Sequence, residues 1–378
     1  MKVLHLLGAP EDTGGILTVL RNLSALGPVT GQEHVVWVHR RFRETRRPPL
    51  TLHRGRFLLD ESPRHLELLA RAVPAWFELA RAVRRLRPDA LHAHSRGALP
   101  VAMLWAGLAR RPILFSSHAY ARRTGLYQRA ARLRHLRFSV LTPNMARHYG
   151  LTPGRDGVAV VSECCADAFF EKPLAGPPRA AGEGPVRLVG LGNIVRWKNW
   201  HLLLQAIALL PPEQRARLVF DHWGPVPDDA ACRRHREELQ HLAERAAPAR
   251  VAFRGLTLNV EQPLREADWF VLPSTNEPCS VALIESLALG RPAIVSASGG
   301  NVDIVEDGRT GLHFQPDDAA DLSRALRRLL AGEVRPLPPE AIRESVRPRS
   351  ASAVAAQYGA LYEEVRLKRP SPAGSSGT

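Results

Sequence analysis

Glu277 and Glu285 stand eight positions apart in the stretch NEPCSVALIESLALGRP, residues 276–292. Glu277 precedes Pro278 at what reads as a helix entrance, and Glu285 falls in the middle of the apolar run that follows. A carboxylate inside such a run is costly unless a partner or a ligand needs it. A helix opening near Cys279 or Ser280 offers free backbone N–H groups and the positive end of its dipole to an anion, with phosphate the natural occupant. Small Ser280 lets a ligand come close. Glu277, just ahead of the helix, can accept hydrogen bonds from hydroxyls on a group attached to that phosphate. Glu285, about two turns in, can accept two hydroxyls at once, as a ribose diol presents them. Taken alone, the pair also reads as a helix N-terminal charge and a partner for an arginine.

Other residues fit the same pocket. Lys198, in VRWKN, sits in a strand-to-helix turn where an ammonium can hold a diphosphate. Gly299 and Gly300 follow PAIVS and permit close backbone approach. Together these describe a site for a sugar nucleotide. His92 and His94, in LHAHS, form a histidine pair at a strand end, but no third ligand has recognisable spacing, so no metal is expected.

The elements that must position these residues alternate along the chain. KVLHLLG (2–8), HVVWVHR (34–40), DALHAHS (89–95), PILFSSH (112–118) and FSVLTPN (138–144) read as strands separated by helical stretches such as HLELLARAVPAWFELARAVRRL. EKPLAGPPRAAGEGP, residues 171–185, reads as a linker. The alternation restarts with VRLVGLGN (186–193), RLVFDHWG (217–224), VAFRG (251–255), WFVLP (269–273) and PAIVS (292–296). This predicts two α/β halves with parallel sheets covered on both faces: an N-terminal domain over 1–170, a C-terminal domain over 186–345, and a helix over 346–365 that packs back toward the N-terminal domain. A disordered tail is expected over 366–378. Ligands in such sheets bind beyond the carboxyl ends of strands, where GAPEDTGG, GNIVRWKN, STNEPCS and ASGG all fall.

Composition bounds the partners. The formal net charge is +15, and it is uneven: residues 1–170 hold 26 Lys and Arg against 12 Asp and Glu, whereas residues 171–378 hold 26 against 25. No acidic residue lies between Asp89 and Asp156, a span with eleven arginines. Such a half suits a polyanionic partner: nucleic acid, acidic lipid headgroups or a phosphorylated substrate. A general arginine bias would affect both halves alike. ARRTGLYQRAARLRHLR, residues 121–137, reads as a basic amphipathic segment suited to an anionic membrane surface or as a solvated helix face. Zinc-finger spacing and RNP-like aromatics are lacking, so nucleic acid is not expected. Four cysteines with neither a CxxC pair nor a disulfide framework suit a reducing compartment. The N-terminus does not read as a signal peptide, and Leu99–Ala109 is about half the roughly 20 residues of a spanning helix. The expected location is cytoplasmic, with peripheral attachment to the inner face of the cell membrane an option.

The run Trp269–Leu322, WFVLPSTNEPCSVALIESLALGRPAIVSASGGNVDIVEDGRTGLHFQPDDAADL, resembles the donor-binding signature of the retaining family-4 glycosyltransferases of the GT-B fold. The order v-PS, E, seven residues, E, G-P-V, GG, E-V, G-tG and p-d-l is kept over more than fifty residues. The resemblance implies two Rossmann-like doubly wound domains facing across a cleft. It implies transfer of a sugar from a nucleotide diphosphate to an acceptor hydroxyl with retention, without a metal cofactor, in bacterial surface polysaccharide, lipopolysaccharide or glycolipid synthesis. UDP or GDP is expected before ADP, and the acceptor is a saccharide, a lipid-linked sugar or a phosphorylated group. Carried over, Glu277 contacts the donor sugar, Glu285 the ribose diol and Lys198 the diphosphate. Cys279, Ser280 and Val281 line the phosphates, Leu256 lies against the base, Gly14 and Gly15 form the loop that closes on diphosphate and acceptor, and His118 sits under the donor sugar. Departures are visible. Asn193 stands where the family has Arg, with Arg196 nearby; SECCAD (162–167) replaces N-G-[VI]-D; Asp303 replaces a glutamate; and EPCS replaces E-G-F-G. Two other classes are weighed beside it: a polyanion-binding protein without catalysis, and a nicotinamide oxidoreductase suggested by GLGNIV (190–195), which lacks the third glycine and the acidic residue of that fingerprint.

Overall fold

The computed structural model describes residues 1–12, 14–57, 59, 65–155, 157–179 and 182–367. The expected disordered tail lies, beyond residue 367, outside the described residues. The chain divides into two compact units, Met1–Glu163 with Ala351–Thr378, and Cys164–Ser350.

The first unit is built on seven parallel strands: β1 (Lys2–Leu6), β2 (Glu33–His39), β3 (Thr51–Gly55), β4 (Ala90–Ala93), β5 (Ile113–Ser117), β6 (Leu136–Val140) and β7 (Val158–Val160), in the order β3-β2-β1-β4-β5-β6-β7. Helices cover the faces, so the central strands are nearly continuous apolar runs. The helix Ala98–Gly107 buries Leu99, Val101, Ala102 and Trp105. The last helix, Ala351–Glu364, contacts the helix Gly15–Ala25 and strand β4.

Register explains where the polar residues of these strands go. His5 on β1 pairs with His92 on β4 and with Val36 on β2. Side chains alternate along a strand, so His34, His5, His92 and His94 share one face of the sheet. Ser116 joins them, since His92 pairs with Leu114.

The second unit has six parallel strands: β8 (Val186–Leu191), β9 (Leu218–Trp223), β10 (Arg250–Gly255), β11 (Trp269–Leu272), β12 (Ala293–Ser296) and β13 (Gly311–Phe314), in the order β10-β9-β8-β11-β12-β13. In both sheets the order reverses beside the first strand, between β1 and β4 and between β8 and β11. Such a topological switch point opens a crevice at the carboxyl edge.

Three differences from the sequence reading have physical causes. Strands β3, β7 and β13 were not expected. All three are edge strands of three to five residues, too short or too exposed to give a long apolar run. The basic stretch 121–137 is not one amphipathic helix: it forms a short helix, Gly125–Ala131, and then runs into β6. The third concerns the linker. The chain passes into the second unit at Cys164, not after residue 170, and residues 171–179 are tied down there. Arg343 donates to the carbonyls of Phe170 and Lys172, and buried Arg291 donates to those of Ala175 and Gly176. Arg179 pairs with Asp268 at 2.6 Å. Charge-assisted bonds of this kind are about twice as strong as neutral ones, which lets a Pro/Gly-rich segment serve as a fixed strap. Among the described residues no helix is long and apolar enough to cross a membrane.

Candidate active site

In the second unit the loops leaving β8 and β11, the two strands flanking the switch point, meet through one ion pair. Lys198 ends a single 3-10 turn, Arg196–Lys198, and its Nζ donates to Glu277 Oε2 at 2.6 Å, with the side chains 12% and 8% exposed. The ammonium also lies 4.5 Å from the ring centre of Trp197, itself half exposed. The backbone beside each partner is left-handed, at Asn199 (φ 56°) and Asn276 (φ 55°), a conformation asparagine tolerates better than most residues. Asn199 donates to Thr275 Oγ1 at 2.7 Å and to Asp317 Oδ1 at 2.8 Å, and the Thr275 hydroxyl donates to the same Asp317 oxygen. Gly300 N–H donates to the Glu277 carbonyl at 2.7 Å. A Cβ on Gly299 (φ 59°) would fall 2.5 Å from that carbonyl oxygen. The close approach expected at Gly299 and Gly300 is therefore made to Glu277's own backbone.

The helix Val281–Ala288 begins three residues past Pro278. Ser280 is its N-cap, and the hydroxyl accepts from the Leu283 N–H at 3.3 Å. The N–H groups of Val281 and Ala282 have no acceptor within a helix. Cys279 and Glu285 are buried. Among the described residues Glu285's carboxylate has no hydrogen-bond or ion-pair partner, and burial pushes its pKa up to about 8. The same burial, with the nearby charge of Glu285, raises the Cys165 thiol.

Three expected residues stand apart from this group. Arg196 is exposed and pairs with Glu238. Asn193 is half buried, and its carbonyl accepts from Trp200 Nε1 at 3.1 Å. Leu256 follows β10 and is 59% exposed.

In the first unit Gly14 (φ 93°) caps the helix Gly15–Ala25, and both glycines are exposed. Space around Gly14 is open: a Cβ there would meet nothing within 4 Å. This loop is held from below by an ion pair absent from the sequence reading. Arg21 donates two 2.8 Å bonds to Asp12, which also accepts from the backbone of Thr45 and Arg46. Its signal was a lone aspartate one helix turn ahead of an apolar helix that carries one arginine.

His118 is engaged through both ring nitrogens. Nδ1 lies 2.7 Å from Glu163 Oε1, Nε2 lies 3.1 Å from His94 Nδ1, and the side chain is 5% exposed. The His92–His94 pair does gain a third imidazole, His5, with one nitrogen of each ring within 4.8 Å of the others. Sequence spacing could not find it, because strand register supplies it. These nitrogens are already taken, however. His92 Nδ1 meets the Tyr362 hydroxyl at 2.9 Å and Nε2 meets Ser116 at 2.7 Å, while His5 bridges His34 and His94 at 2.9 Å each. A cation would have to displace these bonds.

Residues 13–176 match the family described as Glycosyltransferase Family 4, and residues 185–332 match that described as Glycosyl transferases group 1. The chain belongs to these glycosyltransferases. It is 36% identical over 145 residues to the D-inositol 3-phosphate glycosyltransferase of Streptomyces avermitilis, covering 36% of this chain and 30% of that one. It is 29% identical over 150 residues to the lipopolysaccharide core biosynthesis glycosyltransferase LpsE of Rhizobium meliloti, covering 39% and 40%. The matches thus span well under half the length of these curated relatives. A solved structure of Anabaena HepE with UDP and glucose has a TM-score of 0.71 at 16% identity, covering 96% of this chain and all of that one. Its likeness shows that this glycosyltransferase chain shares the two-sheet α/β fold of its GT-B neighbours.

Glu285 generates a stability test. Its folded pKa, about 8, lies above the ordinary 4.5, so the native state keeps a proton that the unfolded chain has lost. Stability should therefore fall as pH rises from about 4.5 to 8. At about 1.4 kcal/mol per unit, the full effect is about 4–5 kcal/mol. Glu285→Gln should remove it, gaining several kcal/mol over the wild type between pH 5 and pH 8 in denaturant unfolding. Parallel pH profiles for the two proteins would refute the assignment.

Proposed function

We propose that the chain transfers a sugar from a nucleotide-diphosphate sugar to an acceptor hydroxyl, with retention at the anomeric carbon. The observation that carries this is the Lys198–Glu277 pair at the switch point of the second unit. One cation and one carboxylate meet there, beside the N-terminus of a helix that holds, little more than one turn in, a carboxylate unpartnered among the described residues. A diphosphate draws Lys198 to itself and takes the free N–H groups of Val281 and Ala282. That frees Glu277 for the hydroxyls of the sugar. The ribose diol supplies the partners Glu285 lacks, and their arrival favours its ionised form. Leu256 and Trp197, both exposed, are the apolar surfaces available to the base.

The chemistry follows from the charges. As the glycosidic bond breaks, negative charge grows on the diphosphate, where Lys198 and the helix N-terminus stabilise it. The leaving group is weakly basic, so no strong general acid is required. Attack from the same face, with the departing phosphate oxygen accepting the acceptor's proton, retains configuration. Gly14 and Gly15 form the open loop toward acceptor and diphosphate, and His118 serves the reaction centre. UDP suits the donor, in line with the UDP bound by the Anabaena relative. A lipid-linked or lipopolysaccharide-type acceptor suits the basic first unit, in line with the Rhizobium relative's description.

Calorimetry with nucleotide diphosphate tests the site. Glu285→Ala and Lys198→Ala should each weaken binding about 10- to 150-fold, the worth of a hydrogen bond to a charged group, whereas Glu277→Ala should mainly lower turnover. Because Lys198 and Glu277 touch, the double variant should depart from additivity by about 0.5–3 kcal/mol. Unchanged binding in Glu285→Ala would remove the ribose assignment.

Transfer should survive EDTA, since protein cations and helix N–H groups meet the diphosphate. Activity lost on chelation and restored by manganese would overturn a metal-independent mechanism.

Arg110, Arg111, Arg132, Arg134 and Arg137 of the first unit line a groove of about 820 Å³, with Glu364 an acidic neighbour. These residues lie just before or at the start of β5 and β6, at the amino edge of the sheet, opposite the edge that carries Gly14. Docking of this groove on an anionic bilayer predicts sedimentation with acidic but not neutral vesicles. Each basic residue contributes about 1 kcal/mol there. Changing Arg110, Arg111, Arg132 and Arg134 to Gln should abolish the sedimentation and leave donor hydrolysis intact. Equal sedimentation of variant and wild type would turn attention to a soluble anionic acceptor.

A further inference from the structure

Four imidazoles and one carboxylate in the first unit are joined in single file. His34 Nδ1 lies 2.9 Å from His5 Nε2, His5 Nδ1 lies 2.9 Å from His94 Nε2, and His94 Nδ1 lies 3.1 Å from His118 Nε2. His118 Nδ1 then lies 2.7 Å from Glu163 Oε1. Every link runs from an Nδ1 to the next Nε2, and the last ends on a carboxylate oxygen. Both terminal atoms, His34 Nε2 and Glu163 Oε2, are buried with no hydrogen-bond partner among the described residues. We propose that in this file the Glu163 carboxylate fixes the tautomer of all four rings, holding His118 with Nδ1 protonated and Nε2 bare.

The direction follows from hydrogen-bond counting. A neutral imidazole has one donor and one acceptor. If Glu163 accepts from His118 Nδ1–H, then His118 Nε2 must accept, so His94 must donate from Nδ1, and the same requirement passes to His5 and His34. No ring can break the order without setting two donors or two bare nitrogens face to face in the interior. Three of the rings, His5, His94 and His34, are neutral for a physical reason. Burial, then neighbouring imidazoles, hold His5 and His94 well below the ordinary value, and burial with the N-terminal ammonium brings His34 to about 4. The groups packed against the file are His92, whose ring centre is 3.8 Å from that of His94, and Tyr362, Tyr358 and Ser116, which His92 engages or faces. None is an anion that could replace Glu163.

Glu163 itself lies in SECCAD, where the chain departs from its family's pattern. Glu163, His94, His5 and His34 are thus positioning residues for His118, and this order of tautomers stands whether or not the chain transfers a sugar.

Long-range proton–nitrogen NMR on the full chain with 15N-labelled histidine reads the tautomers directly. At pH 7 the four rings should all be neutral Nδ1–H forms. Glu163→Ala should release all four. His94→Leu should leave His118 as Nδ1–H and release His5 and His34. If Glu163→Ala does not fold, the wild-type spectrum and His94→Leu decide. A cationic or Nε2–H ring among the four in the wild type would overturn the proposal, as would unchanged His5 and His34 in His94→Leu. So would one equivalent of a bound transition metal whose removal shifts His5, His92 and His94.

Discussion

The site of the second unit depends on one ion pair between two loops that the Asn199–Thr275 hydrogen bond also joins. Lys198 and Glu277 leave adjacent parallel strands at the point where the sheet order reverses, and their charges meet at 2.6 Å. A pair this little exposed gives up much of its hydration, so its attraction is offset by desolvation, and its net worth to stability is small or uncertain in sign. It therefore needs a scaffold. That scaffold is left-handed backbone at Asn199 and Asn276, the side-chain bonds of Asn199 and Thr275 to one Asp317 oxygen, and the Gly299–Gly300 turn that admits only a glycine against Glu277. Much of the local sequence serves to aim two side chains. A pair that is only modestly stabilising is also one a ligand of matching charge can open. A structural lock of the Arg21–Asp12 kind, with two 2.8 Å bonds, could not be opened so easily.

The first unit meets the same architectural demand with different chemistry. Its switch point lies between β1 and β4, and the face there carries His5, His92 and His94. Charged residues in that position would each need a counterion. Neutral imidazoles need only one donor and one acceptor each, and an alternating strand places them at hydrogen-bond spacing without a turn or a loop. The requirement that remains is order: a file of rings satisfies itself only if every tautomer agrees. A single ionised carboxylate at one end supplies that agreement, which an uncharged end could not.

The sequence made the central strands, the doubly wound class and the donor loop legible, because those features are local. Strands buried on both faces read as apolar runs, and Glu277, Ser280 and Glu285 lie within nine residues of each other. Glu285 stood out because an unpaired carboxylate in an apolar helix breaks the local rule. What was not legible depends on register or on long-range pairing. His5 is far in sequence from His92, and only the strand alignment brings them together. Arg196 looked available beside Lys198, but Glu238, in a helix of the same unit, claims it. The glycine pair at 299–300 was correctly read as a place of close approach, yet sequence could not say that the approaching group was the chain itself. Glu163 was visible only as part of a stretch that did not fit.

Parallel sheets have two chemically different edges, and the first unit carries arginines on both. Loops at the carboxyl edge carry Gly14, Gly15 and His118, together with Arg40, Arg41, Arg43, Arg46 and Arg47 after β2 and Arg122 and Arg123 after β5. Arg110, Arg111, Arg132 and Arg134 gather at the amino edge. Exposed charges separated by more than a Debye length, about 10 Å at 0.1 M salt, barely feel each other. A cluster on one edge therefore adds attraction for a polyanionic surface without pulling substrate phosphate away from the other edge. The distance between the edges keeps the two groups of charge nearly independent, and short helices such as Gly125–Ala131 and loops at the amino ends of β5 and β6 suffice to build the amino-edge cluster, with no extended amphipathic helix.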